Sequence, residues 1–249
     1  MSAVVEFREV TYRISGRAIL NGLSLAIEPG ETVVLLGRSG SGKTTALKMV
    51  NALLFPTAGE VLVEGKPTTA WDPVRLRRRI GYVIQDVGLF PHFTVERNVE
   101  LVPRLEGWDE PRIRGRVLEL LQEVGLEPAL YAGRYPRELS GGQRQRVGVA
   151  RALAADPSIL LFDEPFGALD PVTRLELQRQ YLTLRREVRK TSIFVTHDVR
   201  EALMLATRIG LLHNGTLELV TTPEEFRQAR TAEAEAFLAV LDETVKNGR

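Results

Sequence analysis

A glycine-rich segment near the N-terminus carries residue types that bind phosphate groups. It reads Gly37-Arg38-Ser39-Gly40-Ser41-Gly42-Lys43-Thr44 and is followed by Thr45, which we include among the predicted nucleotide-binding residues. Glycines let backbone N–H groups wrap around phosphate oxygens, and a helix that begins behind them adds the positive end of its dipole. In this spacing Lys43 is suited to neutralise β- and γ-phosphate oxygens, and Thr44 to place its hydroxyl on Mg²⁺. The segment therefore predicts a nucleotide site, and the alternative is an ordinary glycine-rich turn.

Two adjacent carboxylates follow an apolar run later in the chain. Ile159-Leu160-Leu161-Phe162 predicts a buried strand, and Asp163 and Glu164 come directly after it. Asp163 is suited to hold Mg²⁺, and Glu164 to orient or deprotonate a water in line with a terminal phosphate. The pair predicts hydrolysis of the bound nucleotide, whereas a solvated strand end is the alternative.

A second glycine segment, Leu139-Ser140-Gly141-Gly142-Gln143, precedes a stretch of helical character. Ser140 is a favourable N-cap residue, and the two glycines leave backbone N–H groups accessible. The segment predicts a second anion site that is built without a lysine. Taken alone, a capped helix start with a flexible entry is the simpler interpretation.

The elements that must position these residues are predicted by the apolar pattern. Strand-length apolar runs alternate with amphipathic stretches, which is typical of an α/β protein with a largely parallel sheet. Residues 33–36 predict the strand before the phosphate-binding segment, and residues 43–54 the helix after it. Residues 192–195 predict another strand, which a helix over about 173–188 connects to the strand at 159–162. A right-handed crossover would place these two strands in one sheet.

The middle of the chain is predicted to be helical. Between about residues 87 and 155 the sequence favours helices, notably over 110–124 and 141–154, and contains no convincing buried strand. In the second of these helices Val147, Ala150 and Ala154 repeat at helical spacing and predict a face that packs on the core.

The C-terminal part carries turn and cap signals. Asn214-Gly215 between two apolar runs predicts a two-residue hairpin turn. Thr222, Pro223 and Glu225 then supply an N-cap, a first-turn proline and a capping-box partner for a last helix. Hairpin and helix use most of the residues after His197, so we expect any regulatory domain to lie on another chain.

The composition excludes several classes of protein. The chain has 249 residues, of which 44% are hydrophobic and 26% charged, with 33 Lys and Arg against 32 Asp and Glu and no cysteine. Disulfides, thiolate metal sites and cysteine catalysis are therefore excluded, and a net charge of +1 gives no general reason to expect nucleic-acid binding. The N-terminus lacks the apolar segment of a signal peptide. The apolar runs are far shorter than the roughly 20 residues of a membrane helix.

In these motifs and in their order, the sequence resembles the nucleotide-binding subunit of ABC transporters over nearly the whole chain. The segment from Leu139 to Gln143 is its most specific feature. The resemblance implies a P-loop NTPase (RecA-like) α/β core with an inserted helical subdomain and an N-terminal antiparallel β portion. It implies a single ABC ATPase domain over residues 1–249, in which 1–86 and 156–249 form the nucleotide-binding core and 87–155 the helical subdomain with the signature motif.

The resemblance also implies ATP and Mg²⁺ as cofactors and a head-to-tail dimer with ATP between the subunits. The signature residues of one chain would face the γ-phosphate of ATP held by the phosphate-binding loop of the other. These residues are Ser140, Gly141, Gly142 and Gln143. The partner would be a second copy of the chain or a similar ATPase.

Three further positions take roles from the resemblance. Gln85, after a predicted strand at 80–84, would touch Mg²⁺ or the attacking water. Asp170, in the segment Ala168-Leu169-Asp170, would communicate across the dimer, and His197 would donate to the γ-phosphate. Considered alone, Gln85 is a polar loop residue, Asp170 a turn or cap residue and His197 a structural histidine.

Tyr12 is the predicted adenine-stacking residue, although the family's usual position for an aromatic residue falls on Ile14. Strand side chains point to the same face at every second residue, so Tyr12 projects on the face of Ile14 and could replace it. A core or edge tyrosine is the alternative.

Segments 79–95, 133–151 and 163–173 most resemble importer ATPases, especially those for osmoprotectants such as glycine betaine, choline or carnitine. The implied partners are integral-membrane permease subunits and, indirectly, a solute-binding protein, with no nucleic acid. The implied location is peripheral, on the cytoplasmic face of the cell membrane. Import of an amino acid or another small solute is the alternative function, and a soluble non-transport ABC ATPase is a further one.

Residues 87–95 form the segment that the resemblance implies as the docking site for a permease. They include Leu89, Phe90 and Phe93, and exposed aromatic side chains there would need to be covered. The alternative is that these side chains pack inside the helical subdomain.

Overall fold

The computed structural model describes residues 3–85, 87–167, 169–188 and 190–246. The strands are β1 (Val5–Ile14), β2 (Arg17–Ile27), β3 (Thr32–Leu36), β4 (Ala58–Val63), β5 (Lys66–Pro67), β6 (Ile80–Val83), β7 (Ile159–Asp163), β8 (Thr191–Thr196), β9 (Arg208–His213) and β10 (Thr216–Thr221). The α-helices are α1 (Lys43–Val50), α2 (Pro73–Arg78), α3 (Val95–Leu105), α4 (Glu110–Glu123), α5 (Pro128–Tyr131), α6 (Gly141–Leu153), α7 (Pro171–Val188), α8 (Val199–Leu205), α9 (Pro223–Phe226) and α10 (Ala232–Lys246). Within these described ranges, no helix has both the length and the apolar character needed to cross a membrane.

The chain divides into two compact units. The first contains the chain up to Pro73 and from Thr191 onward, and the second is Val74–Lys190. The first unit holds β1–β5, α1, β8–β10 and α8–α10, whereas β6, β7 and α3–α7 lie in the second. The second unit therefore contains two strands in addition to the helices predicted between residues 87 and 155.

The first unit contains an antiparallel sheet and a largely parallel group of strands. The antiparallel sheet has the strand order β2-β1-β4-β5 and is the N-terminal β portion that the sequence predicted. In the other group, β3 runs parallel to both β8 and β9, and every residue of β3 is buried, as expected for a near-continuous apolar strand with parallel neighbours. The predicted hairpin joins β9 to β10, and Asn214 and Gly215 both have positive φ, the backbone of a type I′ turn.

The second unit contains the parallel pair β6 and β7 and the helices that pack with them. Val147, Ala150 and Ala154 are fully buried, which confirms the predicted core-facing stripe of α6. At the C-terminal end of α6 the backbone approaches β6 closely, because a Cβ added to Gly81 would lie 2.3 Å from the Ala152 carbonyl oxygen. Glycine at position 81 therefore allows this helix to lie directly on the strand.

The predicted C-terminal end of α1 is wrong. The helix ends at Val50 rather than at residue 54. Ala52 adopts a φ of +53°, and the N–H groups of Leu53 and Leu54 both bond back to the Lys48 carbonyl oxygen. The left-handed residue and these return bonds close the helix early.

The predicted start of the last helix is also wrong. Thr222 caps a helix with a complete capping box, as predicted, but that helix is the single turn α9. The last helix, α10, begins at Ala232, after Thr231, whose hydroxyl accepts a hydrogen bond from the Ala234 N–H at 3.3 Å. A second N-cap residue therefore starts a new helix where the capping box alone suggested one continuous segment.

Candidate functional site

The phosphate-binding segment forms a loop between β3 and α1, the context that its motif requires. Gly40 and Gly42 have φ values of +79° and +102°, which other residues rarely adopt. A Cβ on Gly42 would also lie 2.7 Å from Leu20 Cδ2 and 2.8 Å from the Ile19 carbonyl oxygen. The loop therefore needs glycine at position 42 for its backbone angle and for space.

Lys43 places a buried cation in this loop. The residue is only 4% exposed, and its Nζ donates to the carbonyl oxygens of Gly37 at 2.7 Å and Arg38 at 2.9 Å. A cation at the N-terminus of a helix, next to backbone N–H groups, favours the binding of an anion. The electrostatics of the loop are therefore those of a phosphate site.

The Ser41 hydroxyl supports the same conclusion. It is buried and has no hydrogen-bond partner in the part of the chain that the structure describes. A buried polar atom without a partner is destabilising, and phosphate oxygens would supply the missing acceptor. Of the other predicted loop residues, Gly37 is buried, Arg38, Ser39 and Gly40 are exposed, and Thr44 and Thr45 are half-buried. The loop residues therefore fit the phosphates of a nucleotide.

Tyr12 lies on β1, close to the strand that touches the phosphate loop. It is half-buried and pairs with Leu20 of β2, the residue whose side chain abuts Gly42. Ile14, the more usual position, is 52% exposed. The structure thus places Tyr12 in the neighbourhood of the loop, and stacking on adenine stays a prediction.

His197 is exposed and directly follows β8. The turn that carries it is held by a buried hydrogen bond, in which the Thr196 hydroxyl donates to Glu201 Oε2 at 2.6 Å. The Asp198 N–H donates to Thr196 Oγ1 at 3.0 Å, and the Asp198 side chain caps α8. The imidazole therefore stands on a well-anchored turn at a strand end, a position suited to a catalytic side chain. Its contact with a phosphate stays a prediction.

Asp163, in the second unit, is the last residue of β7 and is only 7% exposed. Tyr82 of the neighbouring strand β6 donates its hydroxyl to Asp163 Oδ2 at 3.2 Å. Burial raises the pKa of the Tyr82 hydroxyl, and the Asp163 charge raises it further, so the phenol remains a hydrogen-bond donor at neutral pH. Tyr82, which the sequence motifs did not reveal, therefore orients the carboxylate that the sequence assigns to Mg²⁺.

Glu164 follows β7 with an unusual backbone conformation. Its φ is +44°, in the left-handed region that residues other than glycine seldom adopt. Its carbonyl oxygen accepts a hydrogen bond from the Gly167 N–H at 3.2 Å, which closes a turn. Backbone strain of this kind concentrates at active sites, because the surrounding structure holds the side chain in one direction. The role of Glu164 as the base that activates water stays a prediction.

The side chains of Asp163 and Thr44 are of the types that bind Mg²⁺ together with a nucleotide. Across the described ranges, no group of three or more His, Cys, Asp or Glu side chains is arranged to hold a metal ion. Mg²⁺ does not require such a group, because it binds through one or two carboxylates together with phosphate oxygens and water. Asp163 in the second unit and Thr44 in the first are each of a residue type that suits this chemistry, and their joint role in holding Mg²⁺ stays a prediction.

Residues 139–143, the signature segment, start α6 with a complete capping box. Ser140 Oγ accepts from the Gln143 N–H at 3.2 Å, and Gln143 Oε1 accepts from the Ser140 N–H at 2.9 Å. Gly142 is packed against α7, because a Cβ there would lie 2.4 Å from Thr173 Cγ2. Ser140 and Gly141 are exposed. The two glycines therefore have different functions: Gly142 permits close helix packing, and Gly141 leaves the helix start open.

Asp170 caps α7 through hydrogen bonds that its Oδ1 accepts from the N–H groups of Val172 at 3.1 Å and Thr173 at 3.0 Å. Hydrogen bonds from the Thr173 hydroxyl and N–H lower the pKa of Asp170. The interpretation of Asp170 as a cap residue is therefore confirmed, and communication across a dimer stays a prediction. Ala168, from the same predicted segment, lies outside the described residues.

Gln85 is exposed after β6, which ends one residue earlier than predicted. The segment that follows Gln85 is tied to α6 by Arg151, whose guanidinium donates to the carbonyl oxygens of Val87 and Gly88, both at 2.7 Å. Gly148 leaves room for this contact, since a Cβ there would lie 2.6 Å from Val87 Cγ1. Arg151, which no motif identified, thus connects the segment after Gln85 to α6, the signature helix, within the second unit.

The buried side chain of Asn98 holds the backbone of residues 87–95, the aromatic segment after Gln85. Asn98 Oδ1 accepts from the Phe90 N–H at 2.8 Å, and Asn98 Nδ2 donates to the carbonyl oxygens of Phe90, Phe93 and Thr94. Phe90 is 39% exposed, while Leu89 and Phe93 are half-buried. The alternative, that these side chains pack inside the helical subdomain, therefore does not hold for Phe90.

The fold and these loops define the chain as a P-loop nucleotide-binding protein of the α/β class. The family described as "ABC transporter" matches residues 20–167, which is more than half of the chain. The chain belongs to the ABC transporter family.

Several characterised proteins are similar to the chain over most of its length. It is 50% identical to the choline transport ATP-binding protein OpuBA of Bacillus subtilis, over 86% of this chain and 56% of that protein. It is also 50% identical to the glycine betaine/carnitine/choline transport ATP-binding protein OpuCA of the same organism, over 84% and 55%. The sulfate/thiosulfate import ATP-binding protein CysA of Caulobacter vibrioides is 45% identical, over 90% and 66%. The chain spans little more than half the length of OpuBA and OpuCA.

Solved structures agree with this family. CbiO1 from Clostridium perfringens, part of the ABC transporter complex CbiONQ, has a TM-score of 0.83 and 30% identity, covering 90% of both chains. A dimeric, post-hydrolysis structure of the ATP-binding cassette MJ0796 bound to ADP and Pi has a TM-score of 0.78 and 37% identity, covering 88% of this chain and 98% of that one. The predicted fold class is therefore confirmed.

Proposed function

We propose that the chain hydrolyses ATP as the nucleotide-binding subunit of an ABC importer for a quaternary-amine osmoprotectant, such as glycine betaine, choline or carnitine. The observation that carries the proposal is the phosphate loop, with the buried Lys43 ammonium and the Ser41 hydroxyl that lacks a partner among the described residues. The transport functions in the names of OpuBA and OpuCA support the solute class.

In this proposal each catalytic side chain has a defined task. Lys43 binds the β- and γ-phosphate oxygens, and the N–H groups of the loop bind the remaining ones. Glu164 orients the attacking water and accepts its proton. His197 donates to the γ-phosphate from its anchored turn.

Asp163, Thr44 and Gln85 are the proposed residues that hold Mg²⁺. When bound, the ion would offset the negative charge that develops on the phosphate oxygens. The Tyr82 hydroxyl keeps Asp163 Oδ2 in one orientation, as the outer neighbours of metal ligands commonly do.

Tyr82→Phe is expected to lower the affinity for Mg²⁺ by about 10- to 100-fold, because it removes only the hydroxyl that orients Asp163. Two measurements check this: the Mg²⁺ concentration that gives half-maximal ATP hydrolysis, and the affinity for Mn²⁺ in the presence of nucleotide, followed by electron paramagnetic resonance. Tyr135→Phe removes a hydroxyl at an exposed position and serves as the control. Equal Mn²⁺ affinities for Tyr82→Phe and Tyr135→Phe would contradict the role of Tyr82.

The proposed working unit is a dimer, formed by two copies or by one copy and a similar ATPase, in which the signature helix of one chain meets the ATP of the other. The exposure of Ser140 and Gly141 at the start of α6 and the dimeric state of the MJ0796 cassette support this arrangement. In this proposal Asp170, which caps α7 next to the Gly142–Thr173 contact, communicates across that interface.

The proposed assembly also includes permease subunits in the membrane and, through them, a solute-binding protein, so that the chain lies peripherally at the cytoplasmic face. The aromatic segment supports a docking role, because Phe90 remains exposed while Asn98 holds its backbone in place. An exposed aromatic side chain on a preformed turn is a typical anchor for a partner protein.

Lys43→Ala in the organism that makes the chain tests the function directly. Removal of the buried ammonium is expected to lower ATP hydrolysis by at least about 10²-fold and to abolish uptake of radiolabelled glycine betaine, choline or carnitine. Lys48→Ala, on the same helix but outside the phosphate loop, is the matched control. Loss of sulfate or amino-acid uptake with normal uptake of quaternary amines would replace the proposed solute class by that of CysA or of another importer.

A further inference from the structure

A buried carboxylate in the last helix is bonded to the phosphate loop. Glu233 lies in the first turn of α10 and is only 7% exposed. Its Oε1 accepts a hydrogen bond from Arg38 Nε at 2.7 Å, across 195 residues of sequence. Charge-assisted hydrogen bonds of this length are among the stronger polar contacts in proteins. The ion pair therefore joins the C-terminal helix to the loop that binds phosphate.

The same carboxylate is held on its other side by the end of β9. His213 Nδ1 lies 3.2 Å from Glu233 Oε2, and Asn214 Nδ2 lies 2.8 Å from His213 Nε2. The amide nitrogen can only donate, so Nε2 is the acceptor and Nδ1 carries the proton that points to Glu233. The hydrogen bond from Arg38, together with the charge of its guanidinium, lowers the pKa of Glu233 against the effect of burial. Glu233 is therefore an ionised and fully engaged anchor.

Arg38 links Glu233 to the residues of the loop that bind phosphate. Its carbonyl oxygen accepts hydrogen bonds from Lys43 Nζ at 2.9 Å and from the Ser41 N–H at 3.2 Å. Its side chain is otherwise 66% exposed, and an exposed arginine without a fixed partner would sample many rotamers. The bond to Glu233 thus restrains the residue whose backbone positions the phosphate-binding ammonium.

The β9–β10 hairpin supports the loop at the same face. A Cβ on Gly37 would lie 2.3 Å from the Leu212 carbonyl oxygen, and the Gly215 N–H donates to the Ser41 carbonyl oxygen at 3.2 Å. The loop therefore rests on the C-terminal hairpin through its backbone at two places, and Glu233 adds the side-chain contact that holds Arg38.

We propose that Glu233 is a positioning residue for nucleotide binding, which acts through Arg38 to hold the phosphate loop in its phosphate-binding shape. The C-terminal helix α10 thereby sets the affinity of the chain for ATP. This inference rests on the proposed binding of ATP by the loop, and it adds a determinant of affinity that lies outside every motif in the sequence.

The test is a double-mutant cycle with Glu233→Gln and Arg38→Gln, read by the dissociation constant for a fluorescent ATP analogue. Each single variant is expected to bind ATP roughly tenfold more weakly, since each loses a charge-assisted hydrogen bond that holds the loop. The double variant is expected to be no weaker than either single one, because the two changes remove the same contact. In steady-state hydrolysis, Glu233→Gln is expected to raise KM more than it lowers kcat.

Glu235→Gln is the matched control, because Glu235 lies in the same first turn of α10 but is exposed to solvent. It changes the helix charge equally and is expected to leave ATP affinity unaltered. Arg38 is exposed, so Arg38→Gln tests the contact even where Glu233→Gln does not fold. Wild-type affinity in Arg38→Gln, or additive losses in the double variant, would overturn the proposal. Absence of ATP binding by the wild-type chain would instead refute the proposed function.

Discussion

Glu164→Gln is expected to preserve ATP binding and to lower ATP turnover by about 10²- to 10⁴-fold, the usual contribution of a positioned general base. Glutamine keeps the length and shape of the side chain but cannot accept the proton of the attacking water. It also keeps the Cβ, so the left-handed backbone at position 164 (φ +44°) is strained equally in both proteins. The change therefore isolates the chemistry of the carboxylate from the conformation of the turn.

Two measurements on Glu164→Gln separate binding from hydrolysis. The dissociation constant for a fluorescent ATP analogue is expected to match that of the wild type, while phosphate release nearly stops. Because ATP is then bound but not consumed, the variant is expected to accumulate as an ATP-bound dimer in light scattering. Glu127→Gln, an exposed residue of the same unit, is the control. Wild-type turnover in Glu164→Gln would remove this residue from the role of base.

Ser140→Arg is expected to abolish hydrolysis while the isolated chain still binds ATP. Ser140 is exposed at the start of α6, where the proposed dimer presents it to the nucleotide of the partner. Arginine adds bulk at that surface and also loses the cap that Ser140 gives to the Gln143 N–H, which destabilises the helix start by about 1 kcal/mol. The lost cap must therefore be distinguished from the lost contact.

Ser140→Asp makes that distinction. Aspartate is as good an N-cap as serine, so the helix start is preserved, but its negative charge would face the γ-phosphate of the partner's ATP. If Ser140 acts only as a cap, the aspartate variant is expected to hydrolyse ATP normally. If it acts in the dimer, both variants are inactive, and their ATP affinities as monomers equal that of the wild type.

Mixing two inactive variants tests the head-to-tail arrangement. In a mixed dimer of Lys43→Ala and Ser140→Arg, one nucleotide site carries both changes and the other carries neither. Part of the activity is therefore expected to return on mixing, as measured by phosphate release. A mixture that remains as inactive as its components would mean that the loop and the signature helix of one chain serve the same site.

The sequence alone predicted the elements whose determinants are contiguous. The phosphate loop needs positive φ at Gly40 and Gly42 and a helix that starts at Lys43, and those residues stand next to one another. The hairpin at Asn214-Gly215 was predictable for the same reason. Helix ends were less predictable: the return of the chain at Ala52 has no signal in residue type, and Thr231 is an N-cap residue that follows an earlier capping box.

Only the tertiary structure decided which contacts orient the predicted residues. Tyr82 meets Asp163 across 81 residues, Glu233 meets Arg38 across 195, and Arg151 holds the segment after Gln85. A motif specifies which groups can bind a phosphate or a metal, because that depends on local backbone shape and on the chemistry of each side chain. The direction in which those groups are held depends on partners brought close by strand pairing and helix packing, and residue spacing does not encode them.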